Sequence, residues 1–95
     1  MITHVVLFKL ADKSPASVRK VADMLLGLKG KVPQIRSLEA GTDVLRSERS
    51  YDIALIAKFD SLKDLDAYQV HPRHKEVEDY IAKVKESIAV VDYAS

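Results

Sequence analysis

The chain has 95 residues, enough for one domain and too few for two. Its 15 basic and 14 acidic residues give a formal net charge of +1, which offers no electrostatic footprint for nucleic acid or a membrane surface. It contains no cysteine, which excludes disulfides, thiolate nucleophiles and Cys-ligated zinc. The first residues lack a basic stretch followed by a cleavable apolar run, and no apolar run is long enough to span a bilayer, so we expect neither a signal peptide nor a membrane span. We therefore expect a single cytoplasmic domain over residues 1–95.

The first half of the chain predicts a strand, a helix and a second strand. Residues 2–10 are apolar and β-branched, which favours a strand. Ser14 is a suitable N-cap and Pro15 suits the first helical position. Apolar residues then recur at helical spacing until Gly30, which we interpret as the C-terminal stop. The second strand is predicted over about residues 35–43.

A third strand and a short helix follow. Residues 46–50 form a polar loop, and residues 51–59 have the composition of a strand. Ser61 and Asp64 have the spacing of a capping box, which indicates a helix start. Pro72 then interrupts this helix.

The last part of the chain predicts a further helix over about residues 73–87 and a strand over residues 88–93. The resulting order of strand, helix, strand, strand, broken helix, strand is the split βαβ pattern of ferredoxin-like folds. We therefore predict an α+β fold, with a four-stranded antiparallel sheet that carries its helices on one face.

Both faces of the predicted sheet are apolar near their centres, because alternate strand residues point to opposite sides. Since the helices cover one face, a second apolar face needs a cover. Its residues are Val5, Leu7, Ala54 and Ile56, with Val90 or Val91 from the last strand. Such patches mark interfaces, and an identical sheet related by a two-fold axis is the simplest cover. The alternative is an exposed patch blunted by Lys9, Lys58 and Asp52.

Two histidines, His71 and His74, lie three positions apart in the segment with the densest polar side chains. Histidine can act as general acid, general base or metal ligand. The pair lacks the Glu of a zinc-protease motif and any Cys partner, so metal binding is the weakest of these alternatives. We interpret His71 as the N-cap of the helix that starts at Pro72.

Four side chains could form a catalytic group. His4 lies on an apolar strand face and needs a polar partner, and Asp92 interrupts the apolar run of the last strand. A carboxylate beside an imidazole fixes its tautomer and raises its basicity. We therefore hypothesise a His74–Asp92 pair with Tyr68 and His4 nearby. The alternatives are that Tyr68 is a core aromatic residue and that His4 is a satisfied, semi-buried histidine.

The sequence resembles the stress-responsive A/B barrel proteins, also called dimeric α+β barrel proteins. The resemblance rests on residues 4–9, Gly41, residues 51–55, Tyr68 with residues 71–74, and residues 91–93. It implies a ferredoxin-like homodimer whose two sheets form a shared barrel. Most bacterial members of this family have no assigned reaction.

One branch of the family contains a plant cofactor-free polyketide cyclase. The resemblance implies that the residue matching His74 is its base, and that the residues matching Tyr68, Asp92 and His4 lie in or beside its pocket. A further pocket histidine of the cyclase is replaced here by Ile53. The same substrate is therefore not expected.

We expect a homodimer with a small apolar pocket between sheet and helices and no assigned reaction. The expected pocket residues are His4, Val6, Phe8, Ile53, Leu55 and His71. The alternative is a cofactor-free cyclase or isomerase in which His74 is the general base and Tyr68 and Asp92 assist. Since the chain lacks a Gly-rich phosphate loop and a dinucleotide fingerprint, we expect a small apolar ligand and no cofactor or metal.

Overall fold

A computed structural model describes residues 1–95 and contains four strands and three helices. The elements are β1 (Ile2–Leu10), α1 (Pro15–Leu26), β2 (Ser37–Thr42), β3 (Ile53–Phe59), α2 (Leu62–Gln69), α3 (Pro72–Val84) and β4 (Lys85–Ala94). The strands form one antiparallel sheet in the order β2-β3-β1-β4. This is the predicted ferredoxin-like arrangement.

The core lies between the sheet and the helices. Val6 of β1 is paired with Leu55 of β3, and both side chains are buried. Alternate residues of the two strands point to this side, and the buried stripe of α1 packs over β2. Together with residues of α2 and α3 they form a cluster of 17 buried apolar side chains. Sheet pairing thus aligns the strand residues that face the helices.

The predicted helix starts are confirmed, while one predicted stop is wrong. Ser14 Oγ accepts the Ser17 N–H at 3.3 Å, and Ser61 Oγ accepts the Asp64 N–H at 3.2 Å. Helix α1 is capped at Gly27, and Gly30 adopts a φ of +82° in the turn beyond it. The positive φ explains the glycine, because other residues rarely adopt that conformation.

The boundary between α3 and β4 also differs from the prediction, because α3 ends at Val84 and β4 begins at Lys85 without a loop. The Ala11 N–H donates to the Val84 carbonyl at 3.0 Å, and Lys85 pairs with Leu10. Pairing with β1 therefore ends the helix earlier than its apolar spacing suggested.

The second face of the sheet carries the predicted apolar patch. Val5 lies opposite Ile56, and Leu7 lies opposite Ala54, so these four side chains are neighbours. All four are only partly buried, because no helix lies on this face.

The last strand adds Val91 to the patch, since Val91 pairs with Val5. Val90 pairs with Val6 and therefore lies on the helix side. Asp52 is buried and does not blunt the patch, contrary to the alternative considered above. None of the three helices has the length and apolar composition to cross a membrane.

Candidate functional site

A cavity of about 300 Å³ lies on the helix side of the sheet, between α3 and the strands β1 and β4. Ten of its 15 lining residues are hydrophobic, so most of its wall offers no hydrogen bond. Its lining includes His4, Tyr68, His74, Ala82 and Val90. Val90 remains 55% exposed, so the cavity opens to solvent beside β4.

Tyr68 is fully buried in the last turn of α2. Its ring centroid lies 4.3 Å from that of His74, 5.0 Å from that of Phe59 and 6.0 Å from that of His4. Its hydroxyl has no hydrogen-bond partner. Burial, together with the charge of Glu78, raises the pKa of Tyr68 to about 12. The hydroxyl therefore stays protonated and is a free donor beside the cavity.

His74 lies in the first turn of α3, and its Nδ1 is 3.1 Å from the Gln69 carbonyl oxygen. A carbonyl can only accept, so Nδ1 carries the proton and Nε2 has the free lone pair. No protein group is bonded to Nε2. Burial lowers the pKa of His74, and this outweighs the Gln69 carbonyl and Glu78, which raise it. The imidazole is therefore neutral at pH 7 and can accept a proton at Nε2.

His4 and Asp92 form a second pair at the edge of the cavity. The two residues lie directly opposite each other in β1 and β4, and His4 Nδ1 is hydrogen-bonded to Asp92 Oδ1. The hypothesised His74–Asp92 pair is therefore wrong. Strand pairing brings Asp92 to His4, and His74 uses its own Nδ1 on a main-chain carbonyl.

The remaining predicted site residues divide into two groups. Val6, Phe8 and Leu55 lie along the cavity wall, as does His4. His71 and Ile53 do not: Ile53 is buried in the core, and His71 caps α3 by accepting the Arg73 N–H at Nδ1, 3.1 Å away. The interpretation of His71 as an N-cap is confirmed. No group of three or more His, Cys, Asp or Glu side chains is arranged to hold a metal.

Sequence reasoning missed a buried carboxylate at the other end of β1. Asp52 Oδ2 accepts hydrogen bonds from the Leu10 N–H at 2.7 Å and from Lys13 Nζ at 3.2 Å, and Oδ1 forms an ion pair with Arg46 Nη2 at 3.1 Å. Burial alone would raise the pKa of Asp52, but these donors outweigh it, and the pKa is lowered. The only sequence feature that indicated this buried carboxylate was the position of Asp52 directly before the apolar strand at residues 53–59.

Nearly the whole chain matches one known protein family. The family model of the stress responsive A/B barrel domain matches residues 2–95. The chain belongs to this family. One curated relative is the stress-response A/B barrel domain-containing protein DABB1 of Arabidopsis thaliana, with 31% identity over 98% of this chain. The A/B barrel chain described here spans 46% of that protein, about half of its length.

Two solved structures resemble this A/B barrel domain over nearly its whole length. A dimeric ferredoxin-like protein of unknown function from Bacteroides fragilis is 34% identical, with a TM-score of 0.86 over 99% of this chain and 95% of that chain. A dimeric ferredoxin-like protein of unknown function from Thermobifida fusca is 29% identical, with a TM-score of 0.87 over 99% of this chain and 90% of that chain. Both relatives are described as dimeric.

Proposed function

We propose that this A/B barrel domain forms a homodimer and binds a small, mostly apolar ligand with one hydrogen-bonding group. The ligand occupies the cavity between α3 and the sheet. The observation that carries this proposal is the buried Tyr68 hydroxyl, which has no partner beside an apolar cavity.

An unpaired buried hydroxyl costs about 1–3 kcal/mol, and an accepting ligand atom recovers this free energy. His74 Nε2 offers an acceptor beside it, because Nδ1 is bonded to Gln69. The ligand group therefore accepts from Tyr68 and donates to His74, as a hydroxyl does. A volume of about 300 Å³ lies at the small end of ligand sites.

Two observations support the homodimer. The apolar patch around Val5, Leu7, Ala54 and Ile56 has no helix over it. The relatives from Bacteroides fragilis and Thermobifida fusca are described as dimeric. A second sheet over the patch would remove its apolar surface from water, at about 25 cal/mol per Å².

Native mass spectrometry tests both parts of the proposal. We expect a dimer with a reproducible small-molecule adduct. Ala82→Phe should remove the adduct, because Ala82 lines the cavity and is exposed enough to accept a larger side chain. Ala16→Phe on the exposed surface of α1 is the matched control and should keep it. A monomer would contradict the dimer, and an adduct that persists in Ala82→Phe would contradict the site.

A second candidate function is cofactor-free proton transfer, and the neutral His74 favours it. Nε2 can take a proton from a carbon next to a ligand carbonyl, while the Tyr68 hydroxyl donates to the enolate oxygen. The proton then returns from Nε2 to a carbon, so the cycle is an isomerisation without net redox change.

Hydrogen–deuterium exchange at the methyl group of acetophenone in D₂O tests this candidate. We expect the wild-type protein to exceed His74→Gln by about 100-fold or more, the usual contribution of a positioned base. Asp60→Asn, in an exposed ion pair, is the control that should keep the wild-type rate. Equal rates for wild type and His74→Gln would reject catalysis by His74.

A further inference from the structure

The break between α2 and α3 changes which groups bind the Gln69 carbonyl. In a continuous helix this carbonyl would accept the N–H of Arg73, four residues on. Here α2 ends at Gln69, and α3 begins at Pro72. The Arg73 N–H donates instead to His71 Nδ1 at 3.1 Å. The N-cap thus takes the donor that Gln69 would otherwise use.

The Gln69 carbonyl consequently has no main-chain donor. Pro72 cannot supply one, because proline lacks an N–H. The remaining donor is His74 Nδ1–H, 3.1 Å from the carbonyl oxygen. The last carbonyls of a helix are unpaired by geometry, so a side chain one turn into the next helix can satisfy one of them.

We infer that His71 is a positioning residue that sets the tautomer of His74. By capping α3, His71 leaves the Gln69 carbonyl free to hold His74 Nδ1–H, and this leaves Nε2 available to the cavity. The relevance of this role to ligand binding rests on the proposed function, whereas the tautomer itself is a property of the free protein.

The two histidines therefore hold opposite tautomers. His71 Nδ1 accepts from a main-chain N–H, so the proton of a neutral His71 is on Nε2. His74 Nδ1 donates to a carbonyl, so its proton is on Nδ1. A cap that had no effect on the Gln69 carbonyl would fix the tautomer of His71 without influencing that of His74.

Long-range proton–nitrogen NMR of the ligand-free, ¹⁵N-labelled protein at pH 8 measures both tautomers directly. We expect the Nδ1–H form at His74 and the Nε2–H form at His71. His71→Ala should replace the single-tautomer signature of His74 with a mixture. His71→Asn should restore it, because asparagine is a strong N-cap acceptor. Ser61→Ala removes the cap of α2 and is the matched control, with no expected change at His74.

The inference would be overturned by a tautomer mixture at His74 in the wild-type protein, by an unchanged His74 in folded His71→Ala, or by an equal change at His74 in Ser61→Ala. If His71→Ala does not fold, the wild-type spectrum still tests the inference. A proton on His71 Nδ1 would show that this nitrogen does not accept the Arg73 N–H. If the wild-type protein shows the expected tautomers but carries no adduct in native mass spectrometry, the proposed ligand binding is rejected and the positioning role of His71 is kept.

Discussion

Two polar clusters, each around a buried side chain, lie near opposite ends of β1, and they differ in how completely the hydrogen bonds of that side chain are made. Near Leu10, the Asp52 carboxylate accepts hydrogen bonds from the Leu10 N–H and Lys13 and forms an ion pair with Arg46. Near His4, the Tyr68 hydroxyl has no partner and His74 uses one of its two ring nitrogens. A buried polar group whose hydrogen bonds are all made stabilises the fold. One that lacks a partner can form a hydrogen bond with a ligand.

The largest expected effect is the loss of the Asp52 carboxylate. Asp52→Ala would leave the Leu10 N–H buried without a hydrogen-bond acceptor. Lys13 and Arg46 would both lose the carboxylate that they contact. We expect the free energy of unfolding to fall by about 2–4 kcal/mol, measured by urea denaturation.

Asp60→Ala is the matched control, because Asp60 pairs with Arg36 in an exposed ion pair. Its unfolding free energy should remain unchanged within error. An equally small effect of Asp52→Ala would show that the Asp52 cluster is no more important than a surface pair.

The two clusters should respond to acid in different pH ranges. The pKa of His74 is lowered by burial from its ordinary 6.5, so the unfolded chain binds the proton more tightly. The free energy of unfolding should therefore decline as the pH falls below about 6.5 and level off below the folded pKa. The lowered pKa of Asp52 contributes stability above about 3.8, which is lost at still lower pH.

Thermal denaturation from pH 7.5 to pH 3 measures this separation. His74→Gln should flatten the decline that begins below about pH 6.5 and leave the loss below about pH 3.8 in place. An unchanged decline in His74→Gln would assign it to another group.

The smallest expected effect is that of Tyr68→Phe. Removing a hydroxyl that has no partner should change the unfolding free energy by less than about 1 kcal/mol, or raise it slightly, because no hydrogen bond is lost. The same variant should reduce retention of the small-molecule adduct in native mass spectrometry. A loss above about 2 kcal/mol would show that the hydroxyl has a structural partner.

Most of the fold was predictable because its signals are local. The strand at residues 2–10 and the caps at Ser14 and Ser61 depend on neighbouring residues alone, and the structure contains all three. The end of α3 was not predictable from spacing, because pairing of Lys85 with Leu10, 75 positions away in the chain, decides it.

The candidate site was predicted as a set of residues and not as a set of contacts. Tyr68, His74 and His4 do come together, with ring centroids 4.3 Å and 6.0 Å from the Tyr68 ring. The partner of His74 is a main-chain carbonyl, which every residue carries and no side-chain pattern reveals. The partner of Asp92 follows from strand register, which a single sequence leaves open.

Because α3 passes directly into β4, a displacement of the helix is transmitted to the strand. Since no loop separates Val84 from Lys85, a ligand that pushed α3 outward would pull on the sheet pairing of Lys85 with Leu10. Enlargement of the cavity at this end is thus opposed by main-chain hydrogen bonds rather than by side-chain rotamers alone. We therefore expect the pairing of β4 with β1 to limit the size of ligand that the cavity accepts.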